Sequence, residues 1–186
     1  MTASGAEGVQ VMAAGNLVPM TLQDLQKYLG RVRNANRVTA SIDRAADARV
    51  MRACFWAADL SPDDLRMSDR MDALKLRITE YMDTFYPDAG PVQFTEDLDE
   101  EYNSRRLIVR TVRRGLPVIT HVDHTTLTRA DVGDLRRLYA EMRRVGPWPY
   151  DLMIDNERRE IRTPEALLEL VMGRGSKGLA IQRYKG

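Results

Sequence analysis

Three sets of side chains in this 186-residue sequence have the types and spacing to do chemistry: a His-Asp-His run, two groups of paired carboxylates, and five Arg-Arg pairs. His121 and His124 flank Asp123, a composition that can ligate metal or move protons. Read as one strand, the run sends positions three apart to opposite faces, so the two imidazoles diverge, and no third histidine is present to complete a zinc shell. Asp63-Asp64 and Asp97-Leu98-Asp99 have the pairing used to hold magnesium. The second of these runs directly into Glu100-Glu101 and reads as a solvated acidic loop. Gly173 to Gly178 spaces its glycines like a phosphate loop, but such a loop follows a strand and opens a helix. Here the glycines follow a helical pattern, so a helix C-cap and connector is the expected role. These readings assign no catalytic residue and no metal ligand.

The arginines carry the binding signal. Arg105-Arg106, Arg113-Arg114, Arg136-Arg137, Arg143-Arg144 and Arg158-Arg159 each supply two guanidiniums, whose planar fork grips phosphate or carboxylate. Arg136, Arg137, Arg143 and Arg144 fall on neighbouring faces of one predicted helix, making a basic stripe for duplex DNA or an acidic partner surface. The plainer alternative is a solvated face, and no exposed aromatic series suggests stacking on single strands. Cys54, among Ala53, Phe55 and Trp56, reads as a buried thiol.

The elements that must position these groups follow from periodicity. Val9 to Met12 alternates as a short strand. Thr21, three residues before Asp24, caps a helix carrying Leu22, Leu25, Leu29 and Val32, expected to end near Asn34. A second helical pattern runs from about Ile42 to Ala57. Ser61-Pro62-Asp63-Asp64 is a helix start, and from Ser68 a further helix carries Met71, Leu74, Ile78 and Met82 on one stripe until Pro87, Gly90 and Pro91. The period then changes to that of strands. Leu107–Val112 and Val118–Val122 flank Gly115 as a hairpin, with an earlier strand at Val92 to Leu98 beside it. Thr128, with Asp131 three later, is expected to cap a helix to Val145, which Gly146-Pro147-Trp148-Pro149 breaks. A small hairpin around Asn156 precedes a last helix opened by Thr163-Pro164-Glu165, with Leu167, Leu168 and Val171 facing inward. The expected fold class is α+β, an antiparallel sheet with helices packed on one side, in a single domain.

Composition sets limits. With 28 basic against 27 acidic residues the net charge is +1, so no global field draws the chain to nucleic acid or membrane, and any such binding is local. At 44% hydrophobic residues a real core can form. A single cysteine forms no internal disulfide and fits a reducing compartment. No apolar run approaches the length of a membrane span, and the opening residues lack the basic start and apolar centre of a signal peptide. The expectation is a cytoplasmic protein without membrane partners.

The run Gly178-Leu179-Ala180-Ile181-Gln182-Arg183-Tyr184-Lys185-Gly186 resembles the stretch that closes the TOPRIM domain in gyrase B, one of the two components of bacterial DNA gyrase, where Leu-Gly-Glu-Met normally follows. In gyrase B of the proteobacterial kind, a large insertion interrupts TOPRIM just before this stretch. A weaker resemblance of pattern and order covers Met20 to Met67, Leu107 to His124 and Asp151 to Lys177. The family's Glu-Gly-Asp-Ser-Ala and TOPRIM Asp-x-Asp signatures are not found in the sequence; Asp97-Leu98-Asp99 imitates the second in another setting. The resemblance implies a leader at residues 1–7, an insert domain at 8–177, and a return into TOPRIM at 178–186. It further implies an accessory, non-catalytic role in DNA engagement and inter-domain coupling during ATP-dependent negative supercoiling. The implied partners are the rest of gyrase B (TOPRIM and tail), gyrase A and double-stranded DNA. Mg2+ and ATP would belong to the parent enzyme, with no cofactor in this segment. Arg183 and Lys185 join Arg136, Arg137, Arg143 and Arg144 as implied DNA contacts. A free-standing DNA-binding module using the arginine stripe is the alternative, and a small hydrolase built on the acidic loop a third.

Overall fold

The computed structural model describes residues 9–13, 21–44, 46–144, 149–154 and 157–173. In chain order the elements are β1 (Val9–Ala13), α1 (Leu22–Ile42), α2 (Ala48–Arg52), α3 (Met71–Phe85), β2 (Gln93–Asp99), β3 (Ser104–Arg113), β4 (Leu116–Val122), α4 (His124–Leu127), α5 (Ala130–Arg143), β5 (Tyr150–Ile154), β6 (Glu157–Ile161) and α6 (164–173). The fold class is α+β. The strands form two antiparallel three-stranded sheets where the sequence suggested one, in the orders β1-β5-β6 and β2-β3-β4. The chain divides into two compact units, one from Met1–Ala35 with Glu141–Gly186 and one from Asn36–Ala140.

In the first unit β5 pairs with β1 on one side and β6 on the other, with Val11 opposite Leu152 and Leu152 opposite Arg159. Its buried residues include Leu25, Tyr28, Leu29 and Val32 of α1, Tyr150 and Leu152, and Leu167, Leu168 and Val171 of α6. The rings of Tyr28 and Tyr150 lie 6.4 Å apart at a tilt, and burial pushes the Tyr150 hydroxyl up to about 12. Thr163 Oγ1 accepts the Ala166 N–H at 3.2 Å, capping α6 as its sequence suggests.

In the second unit β3 is the central strand, its register placing Val109 opposite Phe94 and Thr120. Leu107, Val109 and Thr111 are buried at alternate positions while Arg110 is exposed, the period of a strand with one face in the core. The turn joining β3 to β4 is Arg114-Gly115, both with positive φ (51° and 78°), the backbone of a two-residue type I′ hairpin. Met71, Leu74, Ile78, Tyr81 and Met82 form the buried stripe of α3.

Three sequence expectations are corrected. Helix α1 does not stop near Asn34, because Ala35, Thr39 and Ile42 continue the buried stripe of Leu25, Leu29 and Val32 at helical spacing. The second helix begins at Ala48, not Ile42, since the Asp47 carboxylate accepts the Arg49 N–H at 3.0 Å as an N-cap, and the segment continues to Ala57 as a π-helical turn. Thr128 does not cap α5. Its hydroxyl donates to the carbonyls of His124 and Thr125 at the end of α4, whose N-cap is Asp123, receiving the Thr126 N–H at 2.8 Å.

Candidate functional site

The second unit holds a cleft of about 410 Å³ lined by the end of α1, by α2 and by the β3–β4 turn. Its foundation is Asp47, a fully buried carboxylate. An isolated buried charge is costly, so it must be surrounded by donors, and it is. Arg49 donates from Nε at 3.0 Å and Nη2 at 2.9 Å, Thr111 from its hydroxyl at 2.5 Å, and Arg113 from Nη2 at 3.3 Å. The Asp47 N–H donates in turn to Thr120 Oγ1 at 2.9 Å. Thr111 and Thr120 stand on the buried face of β3 and β4, so this one residue caps α2 and fixes it to the sheet. Burial alone would raise the Asp47 pKa; the hydrogen bonds from Arg49 and Thr111 and the charge of Arg49 outweigh it and hold the carboxyl below its usual range.

Above this foundation the guanidiniums are held in place. Arg49 also donates to the Val112 carbonyl at 2.9 Å, lies over the Tyr86 ring at 5.8 Å, and is raised above its usual pKa chiefly by its bond to Asp47. Arg113 pairs with the Asp43 carboxylate as well as with Asp47. Arg52 donates to Tyr86 Oη at 3.1 Å and to Asn36 Oδ1 and Thr39 Oγ1, both at 3.3 Å. Arg114, on the turn, is exposed at the lip, as is Asp88.

The five arginine pairs divide by this geometry. Arg105 pairs with Glu96 at 3.2 Å, and Arg106 lies 3.1 Å from Asp123, 3.6 Å from Asp99 and 3.9 Å from Asp97. Arg158 pairs with Asp151, and Arg159 stands 3.9 Å from Glu157. Arg105, Arg106 and Arg158 thus tie neighbouring strands together, while Arg159 reaches only along its own strand. On α5, Arg136 and Arg143 are half-buried, and exposed Arg137 pairs with Asp134; exposed Arg144 follows the helix end. Arg183 and Lys185 lie outside the described residues, as do the glycine run after Gly173, residues 1–7, Asn156 and the break at 145–148.

The other candidates are placed as follows. Asp97 and Asp99 belong to strand β2 rather than to a solvated loop; Asp97 is exposed, whereas Asp99, at the strand's end, is buried and lies 3.6 Å from Arg106. Asp63 stands 3.5 Å from Arg66, while Asp64 accepts from the Ser61 N–H at 2.9 Å, from the Ser61 hydroxyl at 3.2 Å and from Arg70, so the pair is split between partners. His121 is exposed on β4. His124 is not on that strand: it opens α4 and stacks on Tyr102 at 4.1 Å, its buried Nδ1 making no hydrogen bond among the described residues. Among the described residues no group of three or more His, Cys, Asp or Glu could hold a metal ion, and no helix is long and apolar enough to cross a membrane.

Sequence reasoning missed the cleft. Its parts come from positions 36–52, 88 and 113–114, and the only local signal was an arginine pair running into Gly115 at a hairpin turn. No family model matches the chain, and no curated protein matches it.

Proposed function

We propose that this chain is an accessory, non-catalytic domain of a cytoplasmic DNA-handling enzyme of the gyrase B kind, inserted in TOPRIM, where it supports DNA engagement and inter-domain coupling. The observation that carries the reading is the run Gly178 to Gly186 with its resemblance to the end of TOPRIM. The arginines give it physical support. Arg137 and Arg144 present guanidiniums to solvent on and just after α5, and the cleft adds Arg114. In this reading the chain works beside TOPRIM, the tail, gyrase A and duplex DNA, while Mg2+ and ATP serve the parent's own chemistry.

With a net charge of only +1, DNA binding by the chain alone should be weak and should fall steeply with salt, because it rests on a few local phosphate contacts. The test compares a reconstituted enzyme carrying the segment with one lacking it. Loss of supercoiling with ATP hydrolysis retained supports a coupling role, and unchanged supercoiling overturns it. The second reading, a free-standing DNA-binding module, is favoured by the same exposed arginines. It requires the isolated chain to bind duplex as tightly as any larger protein containing it, and a Leu-Gly-Glu-Met continuation in the parent frame counts against it.

A further inference from the structure

We propose that the arginine cleft of the second unit is a phosphate-binding site, and that the phosphate it takes is a phosphodiester of duplex DNA. The inference rests on the proposed function only for the source of the phosphate; the site itself stands on its geometry.

Three features argue for an oxyanion. First, the donors are already held. Arg113 is fixed by Asp43 and Asp47, Arg49 by Asp47 and the Val112 carbonyl, and Arg52 by Tyr86, Asn36 and Thr39. Guanidiniums ordered before binding lose little further freedom when an anion arrives. Second, the charge is in excess. Four arginines of the lining meet two aspartates, and Asp47 beneath makes three carboxylates, leaving one positive charge over. Asp43 and Asp47 are engaged by Arg49 and Arg113, while Arg114 makes no ion pair among the described residues. Third, Arg114 occupies a left-handed backbone position (φ 51°) where Asn or Gly is the usual choice, so the hairpin presents its cation to the lip at some conformational cost.

Phosphate fits better than carboxylate. One bidentate arginine satisfies a carboxylate, whereas a tetrahedral phosphate offers oxygens in several directions to guanidiniums arriving from α2 and from the turn. A nucleic-acid backbone fits better than an enclosed small molecule because the lip residues Asp88 and Arg114 are exposed, leaving room for a chain to enter and leave. Asp88 is the opposing charge at that lip, which makes its removal informative.

The experiment uses the 186-residue chain with arginine side chains labelled for NMR, titrated separately with inorganic phosphate and with a short DNA duplex, alongside duplex affinity measured across salt concentrations. Three variants join the wild type: Arg114→Asn, which suits the left-handed turn, Asp88→Asn, and Arg137→Gln on α5, which reads the helix surface separately from the cleft. We expect both ligands to shift the Nε resonances of Arg52 and Arg113. Arg114→Asn should weaken duplex binding up to about eightfold at 0.1 M salt and lower the salt slope by about 0.9, the counterion release of one phosphate contact. Asp88→Asn should tighten it. If phosphate shifts the cleft resonances but duplex does not bind, the site stands and DNA as its source fails, together with DNA engagement by this chain. If duplex binds, the cleft resonances stay still, and only Arg137→Gln weakens binding, the site is overturned while DNA engagement survives. Unmoved cleft resonances with both ligands overturn the site outright.

Discussion

Arg113 Nη2 lies 3.3 Å from the carboxylate of Asp47, a residue 66 positions earlier in the chain, and the same guanidinium also pairs with Asp43. A strand end and a helix cap are thereby joined through one buried charge. Because three side chains, Arg49, Thr111 and Arg113, all donate to Asp47, its replacement affects them together. Asp47→Asn keeps the shape but removes the charge and turns an NH2 toward existing donors. It should cost about 3 kcal/mol, the lower end for breaking a buried pair, since Arg113 stays partly in water. The check is urea unfolding, with a lower midpoint and an unchanged slope; a midpoint equal to wild type would remove Asp47 from its place as the foundation of the cleft.

Acid should dissolve the same joint. Asp47, Asp64 and Asp123 are each raised by burial but lowered more by their donors: Arg49 and Thr111 for the first, Ser61 and Arg70 for the second, Thr126 and Arg106 for the third. All three therefore sit below their ordinary 3.8 in the folded chain. A depressed carboxyl stabilises the fold fully above its unfolded value, and that stability is lost as pH falls through the folded value, because the unfolded chain takes up protons first. Urea midpoints should hold steady down to about pH 5 and then drop steeply below the ordinary carboxyl range. Asp47→Asn should show a shallower drop. An identical acid slope in wild type and variant would place the acid sensitivity elsewhere.

The legible parts of this fold are those whose cause is local. The stripe Met71, Leu74, Ile78, Met82 repeats at helical spacing, Gly115 stands between two β-branched runs, and Thr21 and Thr163 cap as their positions suggest, Thr21 Oγ1 accepting the Asp24 N–H at 3.1 Å. The end of α1 is not legible because every residue from Asn34 to Ser41 except Val38 is polar or small, and burial of Ala35, Thr39 and Ile42 is decided by what packs there. The pairing of β1 with β5 joins residues 9–13 to 150–154, a contact no window of sequence contains. The candidate site divides in the same way. The arginine pairs were visible, but not which of them would be tied into ion pairs, since that depends on Glu96, Asp99, Asp123 and Asp151 arriving from neighbouring strands and turns.

Gly90 is the backbone position least open to change. Its φ of 74° with ψ of 178° is a conformation essentially closed to residues with a side chain, and an added Cβ would meet Val112 Cγ2 at 3.2 Å. Gly90→Ala should destabilise by about 1–3 kcal/mol. Gly115→Asn, on a turn whose φ Asn tolerates and with nothing near the added Cβ, should cost well under 1 kcal/mol. Thermal melts of the two variants decide it: equal losses would mean that Val112 and the backbone of Gly90 relax together.

Cys54 tests how firmly the second unit is closed. It sits in the π-helical turn Ala53–Ala57, fully buried, and burial pushes its thiol up to about 12. Alkylation needs both contact with the reagent and a thiolate, and at pH 8 the thiolate is on the order of one part in ten thousand even before access is considered. Iodoacetamide should therefore label the native chain far more slowly than a free cysteine and label it fully in urea, with the native rate following the global opening of the fold. Asp47→Asn should speed labelling exponentially with its loss of stability, about 150-fold for about 3 kcal/mol, since both are governed by the same unfolding equilibrium. Rapid labelling of native wild type would show that the turn opens locally, without unfolding the sheet that Asp47 is bound to.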